Sequence, residues 1–308
     1  MSNSRFRKPA DVQLTVQYQK GLDIVGVGAA GQVYNVDEHI VLKACRIYEP
    51  PSEQDTPRAS PCCGSSPRIR TRNIIEAIHT DHPEGIYLRK YQPLSALAPT
   101  SSSQSDRVHW YRDLLRALLH LHRLGIAHAD LRRDNVLFDH RRHALLSDFG
   151  AACPFGRPNP SLPVLLLNGP SETVSAATDH FAMGSLIYEL ETGARPDLSA
   201  DDHGALVLPQ IHTRHAGLDA LVENAWRGHY ARTEDMLEHA DCLDALPDSR
   251  EPYERPIPRA ELTARITQWR NTRQEHHGCV LYSLPTDLQL HILAERYGWN
   301  LDDELRFP

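Results

Sequence analysis

Strand-like and helix-like patterning are segregated along this chain, and that segregation limits its folds more than any other feature. Leu22 to Val27 is a short apolar run ending in glycines. Gln32-Val33-Tyr34-Asn35-Val36 alternates at period two, Asp37-Glu38 reads as a turn, and Ile40-Val41-Leu42-Lys43-Ala44 reads as a third strand. Ile74–Ile78 and Ile86–Leu88 read as two more strands around a Thr80–Gly85 turn. Strands joined by tight turns predict an antiparallel meander, not a parallel strand–helix–strand sheet. Helical spacing begins only after the serine run Ser101–Ser103. Val108, Tyr111, Leu114, Leu115, Leu118, Leu121 and Leu124 form its apolar stripe, and Gly125 is placed to stop it. Further helices are predicted near 179–192, 216–227, 232–246, 259–273 and 286–297. The expected class is α+β. A small antiparallel β-rich lobe (21–91) precedes a larger α-helical lobe (92–245), flanked by an extension (1–20) and by a linker with a helical tail (246–308).

The 308 residues suffice for two lobes with a buried core. A net charge of −7 lacks the basic surplus that nucleic acids or anionic membranes attract, so neither is expected as a partner. No apolar run is long enough to span a bilayer, and no apolar stretch follows the basic start as a secretory signal would require. Six cysteines, two of them adjacent at Cys62-Cys63, show neither a disulfide framework nor zinc spacing. A reducing compartment, cytoplasm or nucleus, is expected. Residues 49–70 hold five prolines, which no helical period survives, so the stretch reads as a loop.

Two constellations carry chemistry. The first is Gly26-Val27-Gly28-Ala29-Ala30-Gly31-Gln32-Val33, whose glycines let backbone approach phosphates. A dinucleotide fingerprint would be followed by a helix; the strand pattern after Gly31 points instead to a hairpin lid. Lys43 stands on the next apolar strand. Only four lysines (Lys8, Lys20, Lys43, Lys90) occur among 33 basic residues, which makes an ammonium there a candidate partner for phosphate oxygens. The second constellation is His128-Ala129-Asp130-Leu131-Arg132-Arg133-Asp134-Asn135-Val136-Leu137, followed by Ser147-Asp148-Phe149-Gly150. A carboxylate at 130 can orient a hydroxyl and accept its proton. Arg132 can lie along a transferring phosphate. Asn135 and Asp148 offer oxygens to a divalent cation that keeps substrate phosphates among its ligands.

In this order, over about residues 21–245, these elements resemble the protein kinase superfamily: G-x-G-x-x-G-x-V, the strand lysine, H-x-D-L-x-x-x-N and D-F-G. The resemblance implies a bilobal kinase-like fold with ATP between the lobes. It implies that Gly26, Gly28, Gly31 and Val33 cover the nucleotide, that Lys43 holds its phosphates, and that Leu137 floors the adenine pocket. Tyr91 would lie in the segment joining the lobes, Asp130 would be the catalytic base, and Asn135 and Asp148 would bind Mg²⁺. Asp179 matches the buried aspartate of the central helix of the large lobe. Glu172 matches the glutamate closing the activation segment, with Arg232 as its partner. The implied activity is phosphoryl transfer from ATP to protein hydroxyls, serine or threonine before tyrosine, by a monomer acting on protein substrates or partners.

Three departures stand against that pattern. The family places a helix after the lysine strand, with a glutamate that pairs with the lysine. Here the corresponding stretch is the proline-rich loop, whose carboxylates are Glu49, Glu53 and Asp55, and Glu76 falls in the expected fourth strand. The regulatory helix is therefore expected to be missing or rebuilt. Ala129 replaces the arginine usual before the catalytic aspartate, which argues against switching by a phosphorylated activation loop. Arg89 stands where the joining segment usually begins, facing either nucleotide or solvent. These departures support an alternative reading, a catalytically impaired kinase-like binding or scaffold module. A small-molecule phosphotransferase of the related fold is opposed by the complete glycine loop and the Asp148-Phe149-Gly150 triplet. His120-Leu121-His122 and His276-His277 lack a third ligand nearby, so no metal beyond the magnesium is expected.

Overall fold

The structure is a computed structural model describing residues 22–28, 31–45, 72–82, 84–97, 102–161, 167–201, 206–252, 255, 257–277 and 280–281. The N-terminal extension, most of the proline-rich loop with its three carboxylates, Cys62-Cys63 and the predicted helix 286–297 lie outside the described residues.

Five strands, β1 (Asp23–Gly28), β2 (Gly31–Asn35), β3 (Ile40–Cys45), β4 (Ala77–His82) and β5 (Gly85–Arg89), form one antiparallel sheet. Their order is β1-β2-β3-β5-β4, so the first three make the expected meander and β5 inserts between β3 and β4. Alternation along β3 sends Ile40 and Leu42 into one core and Lys43 to the opposite face. Gly85 must be glycine. Its φ is +144°, and a Cβ there would lie 2.3 Å from the Lys43 carbonyl oxygen. The absence of that side chain lets β5 pair closely beside Lys43.

The fourth strand begins three residues later than predicted. Ile74 instead bridges to Leu146 and is buried in the core of the large lobe, and Ile75 N donates to Leu146 O. The residues expected to turn, Thr80-Asp81-His82, continue the strand. β4 is an edge strand in which only Ile78 is buried, so its polar residues need no partner face.

The large lobe is built on α1 (Gln104–Arg123), α2 (Ala176–Thr192), α3 (Ala216–Trp226) and α4 (Thr233–Asp241). α1 starts at a capping box between Ser103 and Asp106 and buries the predicted leucine stripe up to Leu121. Leu124 caps the helix and is exposed rather than part of that stripe. α2 is buried along most of its length, as a central helix must be. Short strand pairs carry the loops between helices. β6 (Gln92–Pro93), β8 (Val136–Phe138) and β9 (Ala144–Leu146) form one sheet, and β7 (Ile126–Ala127) pairs with β10 (Cys153–Pro154).

The tail returns to the small lobe. Leu246 O accepts from His109 Nε2, Arg250 pairs with Asp113 at 2.7 Å, and Arg89 donates to Ile257 O at 2.7 Å. α5 (Arg259–His277) then lays Leu262 and Ile266 against Leu22, Tyr34, Ile40, Leu42, Ile78 and Tyr87. Full burial of two such side chains contributes on the order of 1.5–3 kcal/mol each. Among the described residues, no helix is long and apolar enough to cross a membrane.

Candidate functional site

The face of β3 opposite α5 carries Lys43. Strand register aligns Gly26, Val33, Lys43 and Ile86 across β1, β2, β3 and β5, and directly opposed residues share a face. Val33 therefore stands beside Lys43 under the glycine hairpin, whose Gly28 and Gly31 are paired. The tip, residues 29–30, lies outside the described residues.

The Lys43 ammonium reaches the large lobe. Its Nζ lies 2.5 Å from Asp148 Oδ1, with the lysine side chain 14% exposed. Asp148 follows β9 and adopts φ +55°, a left-handed backbone that is strained for a non-glycine residue. Its neighbour Ser147 is fixed by N and Oγ, both donating to Asn135 O at 2.9 and 2.8 Å. Gly150 N donates to Asp148 Oδ1. Burial pushes the Asp148 carboxyl up, but the charge and hydrogen bond of Lys43, followed by Gly150, outweigh it and hold the group below its ordinary range.

Asn135 ends a 3₁₀ turn, Arg133–Asn135, and is buried. Its Nδ2 donates to Asp130 O at 2.7 Å and Asp130 Oδ2 at 2.9 Å, so its carbonyl oxygen is not spent on that loop. Burial raises the Asp130 pKa; the Asn135 hydrogen bond opposes this and the Asp148 charge adds to it. Two neighbouring carboxylates are thus driven apart. Asp148 is held as an anion, and Asp130 becomes the better proton acceptor, a division suited to separate charge-holding and base roles.

The backbone of this loop is anchored from below. Asp179, fully buried on α2, accepts from His128 N at 2.7 Å and Ala129 N at 2.9 Å, holding Ala129 at φ +61°. His128 Nε2 meets Ser147 O at 2.9 Å, and its ring packs edge-on against Phe149. The segment after Asp148 is tied to the same loop, since Asn168 Nδ2 donates to Ala129 O at 2.7 Å. Asn159 Nδ2 holds Ser171 O at 2.8 Å. At the expected adenine pocket, Leu137 is paired with Pro93 and Leu145, and half-buried Tyr91 lies just before β6. The predicted pocket floor and joining segment are therefore adjacent.

Other charged residues have partners of their own. Glu76, set aside in the sequence as a partner for Lys43, pairs with Arg89 at 2.8 Å and Arg255 at 3.3 Å. Arg89 faces neither nucleotide nor solvent, being buried in that pair. Arg132 is half-exposed and pairs with Asp134 at 3.0 Å, although its charge still lowers the Asp130 pKa. Arg232 pairs with Asp235, and Glu172 is exposed, so that expected ion pair is absent.

The residues fit a phosphate–cation pair. Among the described residues, no group of three or more His, Cys, Asp or Glu could hold a metal by itself. A site offering one carboxylate and one amide oxygen leaves the other positions of a hard cation to phosphate oxygens and water. The ammonium of Lys43 stands beside it. Sequence reasoning missed His122 and Asn168. His122 reads there only as a failed metal ligand, and Asn168 belongs to no recognisable spacing.

A family profile described as the protein kinase domain matches residues 20–250, about three quarters of the chain. "Ribosomal protein S6 kinase-related protein" from Homo sapiens is 32% identical over 111 residues, covering 33% of this chain and 26% of that protein. "Protein kinase C eta type" from Mus musculus is 38% identical over 98 residues, covering 27% and 14%. "Mitogen-activated protein kinase kinase kinase 17" from Arabidopsis thaliana is 25% identical over 200 residues, covering 58% and 53%. The chain spans about half or less of the length of each. With the profile spanning both lobes and the cleft between them, the chain belongs to the protein kinase family.

Proposed function

We propose that this chain transfers the γ-phosphoryl group of ATP to hydroxyl groups of proteins, with serine and threonine as acceptors. The observation carrying this reading is that Lys43 meets Asp148 while Asn135, joined to Asp148 through Ser147, also holds Asp130. An ammonium, an amide and a carboxylate suited to a hard cation, and a carboxyl group with a raised pKa are thereby linked by hydrogen bonds. Similarity to protein kinase C eta type and to mitogen-activated protein kinase kinase kinase 17, both named as kinases, supports the same reaction.

Lys43 would neutralise phosphate charge, and Val33 with Gly26, Gly28 and Gly31 would cover the nucleotide above Leu137. Asn135 and Asp148 would hold Mg²⁺, which when bound supplies charge stabilisation to the phosphate oxygens. Asp130 would orient the acceptor hydroxyl and take its proton; such assistance is typically worth ~10²–10⁴-fold. Arg132 would serve the acceptor side only after leaving Asp134. The test is transfer of radiolabelled phosphate from ATP to a generic protein substrate, with Asp130→Ala and Asp148→Asn as controls. Labelling lost in both controls is expected; labelling no greater than theirs would overturn the proposal.

A further inference from the structure

We propose that Thr233 and His180 are positioning residues for the catalytic loop, acting through His122 and Asp179 along a one-directional chain of hydrogen bonds. The geometry is continuous. His180 Nε2 lies 2.9 Å from Thr233 Oγ1, and Thr233 Oγ1 lies 2.5 Å from His122 Nδ1. His122 Nε2 lies 2.9 Å from Asp179 Oδ2. Asp179 in turn receives the backbone N–H groups of His128 and Ala129. The helices α2 and α4 are thereby joined to the loop that carries Asp130.

The direction follows from counting hydrogens. Asp179 is an acceptor already taking two backbone N–H groups, so His122 must present Nε2–H to it. His180 is 1% exposed, and its Nδ1 has no hydrogen-bond partner. Burial lowers the His180 pKa to about 4, so the ring is neutral and has one N–H. An orphaned buried N–H is rarer than a bare acceptor, which places that hydrogen on Nε2 and aims it at Thr233. The Thr233 hydroxyl then has its own hydrogen left for His122 Nδ1. Each donor faces an acceptor, and the tautomer of His122 is set by a residue at the start of α4. Without Thr233, the imidazole could turn or change tautomer, and Asp179 would lose a partner that helps hold its charge in the core. The strained Ala129 backbone depends on Asp179.

This inference rests on the phosphotransferase reading only for its kinetic readout, so the deciding measurement is made on the free full-length chain. Amide hydrogen exchange at His128 and Ala129 and the ¹⁵N shifts of the His122 ring are compared for wild type, Thr233→Val, Thr233→Ser and His180→Leu. Wild-type His122 is expected to carry its proton on Nε2. Thr233→Val and His180→Leu are expected to raise exchange at both amides by roughly fivefold, the scale of one lost hydrogen bond. Thr233→Ser should restore wild-type exchange, and amides within α4 should not change. Unchanged exchange at His128 and Ala129 in a folded Thr233→Val, or a wild-type His122 with its proton on Nδ1, would overturn the proposal. In an active chain, kcat should fall by the same factor with KM for ATP unchanged. A wild type that transfers no phosphate would defeat the reading of function and leave the exchange result to decide this one.

Discussion

Lys43 and Asp148, 105 residues apart, are joined by a 2.5 Å contact that spans the two lobes. Among the described residues the lysine partner is Asp148, the carboxylate proposed to hold the cation, and Glu76 is paired elsewhere. In Lys43→Met, burial is left to dominate at position 148, and the Asp148 carboxyl should titrate at higher pH than in wild type. Carboxyl carbon NMR across the acid range measures this. An unmoved titration would show that the contact does not govern the charge of Asp148.

Glu76 is predicted to matter for stability and not for phosphate binding. Its carboxylate is paired with buried Arg89, their side chains being 12% and 8% exposed. Removing one partner from such a pair typically costs ~3–5 kcal/mol because the other charge is stranded. Glu76→Ala should lower the denaturant midpoint accordingly. Nucleotide affinity, measured by calorimetry below that midpoint, should be unchanged; a selective loss of affinity would reassign Glu76 to Lys43.

The activation segment should be held without any phosphate. Asn168 is 1% exposed, and its amide bonds the Ala129 carbonyl, the residue standing where the family usually has arginine. Asn168→Ala should release the segment locally at a cost of about 1–3 kcal/mol. Limited proteolysis should then cut between residues 155 and 173 faster than in wild type. Equal cleavage rates would contradict the role assigned to this amide.

Acid sensitivity should reside partly in Glu191. Burial raises its pKa, but bonds from Arg107, Tyr111 and Gln104 outweigh that and bring it below the ordinary 4.5. A carboxylate with a depressed folded pKa stabilises fully above its unfolded value and loses that contribution as pH falls through the folded one. Wild type should therefore lose more stability than Glu191→Gln between pH 6 and pH 3, measured by urea unfolding. Parallel losses would remove Glu191 from the acid transition.

Much of the site was legible because it depends on spacing within short segments. Asp130 and Asn135 lie five residues apart on one loop, and Lys43 follows from the alternation of Ile40-Val41-Leu42. The contact between Lys43 and Asp148 was not legible, since it depends on how two lobes meet. The fourth strand was misplaced because the apolar signal of Ile74 belongs to the large lobe, while the edge strand itself is polar. The charges at Arg89 could not be interpreted without the tail, whose Ile257 carbonyl and neighbouring Arg255 complete that cluster. The pairing of Glu172 with Arg232 failed because Arg232 is used locally by Asp235 at the start of α4.

The placement of α5 has a practical consequence for anyone cutting this gene. The family profile stops at residue 250, and a fragment ending there would look complete by homology. Yet it would expose Leu22, Ile40, Leu42 and Tyr87 to water, a greasy sheet face stripped of its cover. Such a fragment is expected to clump on expression, and its inactivity would say nothing about the chemistry of the cleft.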